Sequence, residues 1–315
     1  VMAEFELIER IRRRVPAASG VVVGIGDDAA VLAPTPGHEL VATTDSLVLG
    51  RHFTPDWPPA DIGYLAAQAN LSDLAAMGAT PRWALLALTL PDADADWLDG
   101  LLDGFLEAAA ETGLALVGGN LARGPLNIGL QLLGEVPAGQ AVTRRGAQAG
   151  DRLVVTGTLG DAAAALELGG HAPTALRERL HRPTARVRAG LVLAGMARAM
   201  IDLSDGLLAD LGHLLGEGQG ADLDLDALPV SDALLEAVDA QADRRCLQTG
   251  GGSDYELLAV LPEAEMANLP RLAAQAGVAL SDIGCVTDGG QVRCLDGQGH
   301  PVAIDSPGWD HFHGP

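Results

Sequence analysis

The chain has 315 residues, is 48% hydrophobic, and carries 42 acidic against 20 basic residues, for a formal charge of −22. That is enough apolar material for two ordinary domains, and so negative a field repels nucleic acid and anionic membrane while attracting divalent cations. All 20 basic residues are arginine, which excludes a P-loop lysine, a protein-kinase lysine and a Schiff base.

The opening "EFELIERIRRRV" has charges set into its apolar positions and predicts an amphipathic helix, not a secretory leader. Short apolar runs bounded by Gly, Pro or charge follow. "SGVVVGIG", "HELVATTDSLV", "RWALLALTL" and "NIGLQLLGEV" read as strands. Between them "DIGYLAAQANLSDLAAMGA" sets Leu65, Ala69 and Met77 at helical spacing, and "WLDGLLDGFLEAAAETG" ends on a helix-stopping glycine. The pattern then breaks into Pro, Gly and polar residues at "GEVPAGQAVTRRGAQAGD", which places a domain boundary near residue 138, with domains over 1–137 and 138–315. Beyond it come a strand, turn and helix in "RLVVTGTLGDAAAALEL", helices in "PTARVRAGLVLAGMARA" and "LLADLGHLL", and strands near "YELLAVL" and "IGCVTDG". No apolar run approaches the roughly 18 residues of a membrane span. Cys246, Cys285 and Cys294 have no metal-site spacing, which fits a reducing cytoplasm.

Acids at element ends or among apolar residues carry the chemical signal. They are Asp27 and Asp28 after two glycines, Asp45 behind Thr43 and Thr44, Asp73 in "NLSDLAAMGA", Asp202 and Asp205 in "DLSDGL", and Asp254 in "GGSDYEL". Asp73 is the clearest: on a helix it shares a face with Ala66, Ala69, Asn70, Ala76 and Met77, where an unpaired carboxylate costs several kcal/mol. A buried cap to a loop amide is the bland reading, and a cation ligand the sharper one. Thr43, Thr44 and Asp45 read as three oxygen donors closing a strand, suited to magnesium. Asp202 and Asp205 share a face if their segment is helical, and Ser204–Gly206 marks a helix start where phosphate oxygens bind well. Two carboxylates about 4 Å apart repel by roughly 4 kcal/mol at an effective dielectric near 20, so converging acids call for cations between them. "GIGDDA" also matches the G-x-G-x-x-A of a dinucleotide-binding turn, but a pyrophosphate there would meet Asp27 and Asp28 with no cation.

"GIGDDAAVL", "TTDSLVLGRHF", "NLSDLAAMGATPRWALLALTLP", "LVGGN", "RRGAQAGDRLVVTGTLGDAAAAL", "DLSDGL" and "GWDHF", in this order, resemble the thiamine-monophosphate kinase family of the aminoimidazole ribonucleotide synthetase-like superfamily. The resemblance runs nearly end to end. It implies a mixed α/β, two-domain fold. The N-terminal sheet would pair with that of a second subunit into a barrel, and a C-terminal α/β sandwich would complete a cleft, in a cytoplasmic homodimer. It also implies transfer of the γ-phosphoryl group of ATP to thiamine monophosphate, with several magnesium ions. Matched by motif, Asp28, Thr43, Thr44, Asp45, Asp73, Asp202 and Asp205 would bind magnesium. Gly119, Asn120, Arg144 and Ser204 would contact ATP, and His52, Ser253 and Trp309 the thiamine phosphate. No general base is implied. Family members usually carry Asp where Asn120 stands, Glu where Ser253 stands, and an apolar residue at Arg51. These departures keep two alternatives open: a nucleotide-binding paralogue without this activity, and an enzyme of the superfamily with another acceptor.

Overall fold

The computed structural model describes residues 4–304. The chain divides into two compact units, one of residues 1–74 and 79–141, the other of 75–78 and 142–315. Each has its own sheet, as expected of a mixed α/β fold.

The first unit begins with α1 (Glu4–Arg14), which buries Leu7 and Ile11 and has acids in its first turn and arginines in its last. A small hairpin, β1 (Val21–Val23) with β2 (Val31–Leu32), precedes the long strand β3 (His38–Val48). Then come α2 (Pro59–Ala76), β4 (Thr80–Leu90), α3 (Ala95–Thr112), β5 (Ala115–Arg123) and β6 (Asn127–Pro137). The sheet order is β3-β6-β4-β5. β6 runs antiparallel to β3 and β4, while β4 and β5 are parallel, joined by the α3 crossover. Helix α3 is closed by Asp94, which accepts the N–H groups of Asp96 and Trp97, and by Gly113 at φ 73°.

Period-two alternation sorts the sheet residues. Ile128, Leu130, Leu132 and Val136 of β6 and Leu86, Leu88 and Leu90 of β4 are buried. The leucine side chain of Leu74 on α2 reaches β6 at Gly134. On the opposite face Trp83, Ala115 and Val117 pack with Val21 and Leu32 of the hairpin. Helices α2 and α3 touch backbone to backbone. A Cβ on Gly63 would stand 1.9 Å from the Leu101 carbonyl oxygen, and one on Gly104 1.7 Å from that of Ala60.

The second unit holds β7 (Arg152–Thr156), α4 (Asp161–Leu168), α5 (Thr174–His181), α6 (Val187–Leu193), β8 (Ala199–Leu203), α7 (Leu207–Leu214), β9 (Gly220–Asp224), α8 (Asp232–Ala237), α9 (Gln241–Gly250), β10 (Glu256–Leu261), α10 (Leu269–Ala276), β11 (Leu280–Thr287) and β12 (Val292–Leu295). Its six strands are ordered β12-β9-β11-β7-β10-β8, all pairs antiparallel except β12 with β9. Leu207, Leu211 and Leu214 of α7 join Leu153, Val155, Ile201, Leu203, Leu258 and Val260 of the strands in one core. The helix expected through "PTARVRAGLVLAGMARA" is shorter than its composition suggests, because Ala199 already begins β8. Among the described residues no helix is long and apolar enough to cross a membrane.

Candidate functional site

In the first unit Thr43, Thr44 and Asp45 stand in the middle of β3 and not at its end, which corrects the sequence reading. Alternation therefore divides them. Thr43 and Asp45 share the face that looks toward α2, and Thr43 Oγ1 donates to Asp73 Oδ2. Thr44 projects from the other face, where its Oγ1 accepts from Gln131 Nε2 at 3.3 Å. Asp73 is half-buried on a helix that is otherwise almost wholly buried. One turn earlier, Asn70 is 1% exposed and its Oδ1 has no hydrogen-bond partner among the described residues.

Asp28, Gly119 and Asn120 come together with Asp27 and Gln131 around a cavity of about 1170 Å³, also walled by Gly24, Gly26 and α1. Asp27 Oδ1 accepts the backbone N–H of Asp28 at 2.8 Å, and both acids are exposed. Gly119 pairs with Leu86 of β4, where a Cβ would lie 1.9 Å from the Leu86 carbonyl oxygen. Glycine is thus demanded by strand approach. His52 is half-buried in the turn after β3, and its Nδ1 accepts the N–H of Val48 at 3.0 Å. A ring accepting at Nδ1 carries its proton on Nε2.

In the second unit Asp202 lies in β8 and is 3% exposed, whereas Ser204 and Asp205 are half-buried in the following turn. The segment is not helical, so Asp202 and Asp205 do not share a helix face. The three N–H groups expected to receive phosphate are already engaged: those of Ser204, Asp205 and Gly206 all donate to Asp210 Oδ2 at 3.1 Å. Asp210 escaped the sequence reading because it looks like one more polar residue of α7. Burial pushes its carboxyl up to about 6, helped by the charge of Asp205 and opposed by the three N–H groups.

Ser253 has φ 66° and Tyr255 φ 51°, both in the left-handed region. Their N–H groups donate to the carbonyls of Ser204 and Leu203, each at 2.8 Å, so "GGSDYEL" is laid along the end of β8. Asp254 between them is buried, and its carboxylate accepts the N–H of Gly160 at the start of α4 at 3.0 and 3.1 Å. Burial holds its pKa well above the usual carboxylate value. Asp254 is thus a buried acceptor for the N–H that opens α4. Glu256, wholly buried, accepts from Thr156 Oγ1 at 2.6 Å and from Arg179 and Arg186 at 2.6–2.8 Å. Arg144 is exposed on the segment beside β8. Trp309 lies outside the described residues.

Among the described residues no group of three or more His, Cys, Asp or Glu is gathered as a ready metal cage. The donors are hydroxyls, carboxylates and one orphaned amide oxygen. All are oxygen ligands, placed in ones and twos. That donor set fits magnesium, which keeps waters and binds through one or two carboxylates plus substrate phosphates.

Two family models cover most of the chain: the AIR synthase related protein N-terminal domain over residues 26–136, and the C-terminal domain over residues 148–296. The thiamine-monophosphate kinase of Salmonella typhimurium is 44% identical, over 99% of both chains. The crystal structure of the thiamine-monophosphate kinase from Stenotrophomonas maltophilia is 43% identical with a TM-score of 0.88, over 96% of this chain and 98% of that one. AaThiL complexed with AMPPCP and TMP is 30% identical with a TM-score of 0.78, over 99% of both chains. With relatives this similar across its whole length, the chain belongs to the thiamine-monophosphate kinase family of AIR synthase related proteins.

Proposed function

We propose that this protein transfers the γ-phosphoryl group of ATP to thiamine monophosphate, giving thiamine diphosphate and ADP. The observation that carries the reading is full-length similarity to thiamine-monophosphate kinases, joined to oxygen donors suited to magnesium. The acceptor is a phosphate that is already ionised, so no side chain has to remove a proton, and the requirements are alignment and charge neutralisation. In the first unit Asp28, Thr43, Thr44, Asp45 and Asp73 would hold magnesium, and in the second unit Asp202 and Asp205 would. The metal would supply positive charge at the phosphates where no lysine can. Gly119, held against β4, contacts the nucleotide from the cavity wall, with Asn120, Arg144 and Ser204 as further contacts. His52 offers an Nε2–H donor to the thiamine phosphate, and Ser253 and Trp309 complete that side.

The long strand β3 lies at an edge of its sheet with Leu40 and Val48 exposed. An open edge of this length favours pairing with a second copy, which supports a homodimer closed through the first-unit sheets. Cys246, Cys285 and Cys294 are all unpaired, in keeping with a cytoplasmic, reducing setting. Asn120 and Ser253 in place of the family's usual Asp and Glu favour a second reading, a nucleotide-binding paralogue. Incubation with ATP, magnesium and thiamine monophosphate separates the two. Thiamine diphosphate appears, and is lost in Asp73→Ala, if the chain is the kinase. A folded protein that binds magnesium–ATP without making product is the paralogue.

A further inference from the structure

Asp210 sits in the first turn of α7, 3% exposed, and reaches back four to six residues to gather the N–H groups of Ser204, Asp205 and Gly206 on a single oxygen. A helix-capping side chain ordinarily precedes the helix it caps. Here the acceptor lies inside the helix and organises the turn ahead of it. The carbonyl side of the same turn is held as well: Ser253 N–H donates to the Ser204 oxygen at 2.8 Å, and a Cβ on Gly252 would stand 2.6 Å from that oxygen. Gly206, at φ 117°, packs against the Gly250 backbone, with 2.9 Å left for a Cβ. The N–H groups of residues 204–206 and the carbonyls of Ser204 and Gly206 are thereby committed to the protein. The turn carries two polar side chains, those of Ser204 and Asp205, each half-buried.

We propose that Asp210 is a positioning residue for phosphoryl transfer: without touching substrate or metal, it fixes the Ser204–Gly206 backbone so that the Asp205 carboxylate and Ser204 hydroxyl are set before magnesium–nucleotide arrives. The proposal rests on the reading of Asp205 as a magnesium ligand. Three charge-assisted hydrogen bonds compensate a buried carboxylate. A ligand held in place by its supporting groups binds metal more tightly than one that must be ordered at the moment of binding. Removing such support costs about 10–100-fold in metal affinity.

The test uses the full chain and Mn2+ as the probe, with binding followed by electron paramagnetic resonance, alongside the magnesium dependence of thiamine diphosphate formation. Asp210→Ala is expected to weaken Mn2+ binding about tenfold or more and to raise half-saturating magnesium in parallel, while kcat at saturating magnesium recovers and KM for thiamine monophosphate holds. Asp210→Asn keeps an acceptor oxygen in the same place and is expected to recover most of the affinity. It also serves if the alanine variant fails to fold, since wild-type fold with Mn2+ binding closer to wild type than to Asp205→Ala supports the role. Asp210→Ala that folds and binds Mn2+ as the wild type does, while Asp205→Ala binds weakly, overturns the proposal alone. Asp205→Ala with unchanged Mn2+ binding overturns its premise and the proposal with it. A uniform fall in stability, kcat and both affinities, not rescued by Asp210→Asn, assigns Asp210 to folding and overturns it as well.

Discussion

Thr43 on β3 hands its hydroxyl hydrogen to the Asp73 carboxylate on α2, so a strand residue and a helix residue 30 positions apart meet at one oxygen. The bond fixes where the Asp73 carboxylate stands beside β3. Thr43→Val keeps the shape and removes the donor. Half-saturating magnesium is expected to rise about tenfold, with the melting temperature nearly unchanged. Titration of activity against magnesium checks it, and an unaltered curve would remove Thr43 from the metal set.

Gly119 is the position where a side chain is least tolerated in the candidate site. A methyl group there would collide with the Leu86 carbonyl, 1.9 Å away, and push β5 from β4. Gly119→Ala is expected to cost at least about 1–3 kcal/mol and to abolish nucleotide-dependent thermal stabilisation. Urea unfolding with and without ATP measures both. An unchanged midpoint would show that the strands give way freely.

Ser253 occupies a backbone conformation that suits glycine. Relief of about 1–2 kcal/mol in the left-handed region, set against about 0.5–1 kcal/mol of added unfolded-chain entropy, leaves Ser253→Gly up to about 1.5 kcal/mol more stable. If the hydroxyl contacts thiamine monophosphate, the same variant raises KM for that substrate alone. Calorimetry with steady-state kinetics separates the two effects, and a destabilised variant contradicts the strain argument.

Asp254 gives a pH signature. Its folded-state pKa lies well above the ordinary carboxylate value because it is buried, an effect the Gly160 N–H only partly offsets. Between those two values the native state binds more protons than the unfolded state. This group's stabilisation is therefore fullest below about pH 4 and is lost as pH rises through the folded pKa. Asp254→Asn mimics the protonated form. Its melting temperature relative to wild type is expected to climb as pH increases from 4 toward 8, and a flat or opposite trend contradicts the assignment.

The elements most legible in the sequence were those whose burial follows a simple period. The stretch 38–48 reads as a strand and is one, and 97–113 reads as a helix stopped by Gly113, whose N–H caps the Ala109 carbonyl. The strand through "LVGGN" was harder to see, because its glycines serve a close approach to β4 and carry no periodic signal. Asp73 was legible as an acid out of place on an apolar helix. Thr44 was not legible as facing away from Thr43, since a run of donors shows its alternation only once the strand boundaries are known. Asp210 was hidden for a different reason. Its role lies in backbone N–H groups, which every residue has and no sequence displays.

The close approach of Gly63 to the Leu101 carbonyl, and of Gly104 to that of Ala60, reaches beyond packing. With carbonyl oxygens less than 2 Å from where any side chain would start, neither position has a neutral substitute, and compensation at one cannot rescue a change at the other because the obstruction is main chain in both directions. A library randomising both codons and sorted only for folded protein should return glycine at each, though neither residue does any chemistry. Two invariant positions arising from geometry alone would be easy to mistake for part of the site, and that sorting experiment, blind to catalysis, is the one that tells them apart.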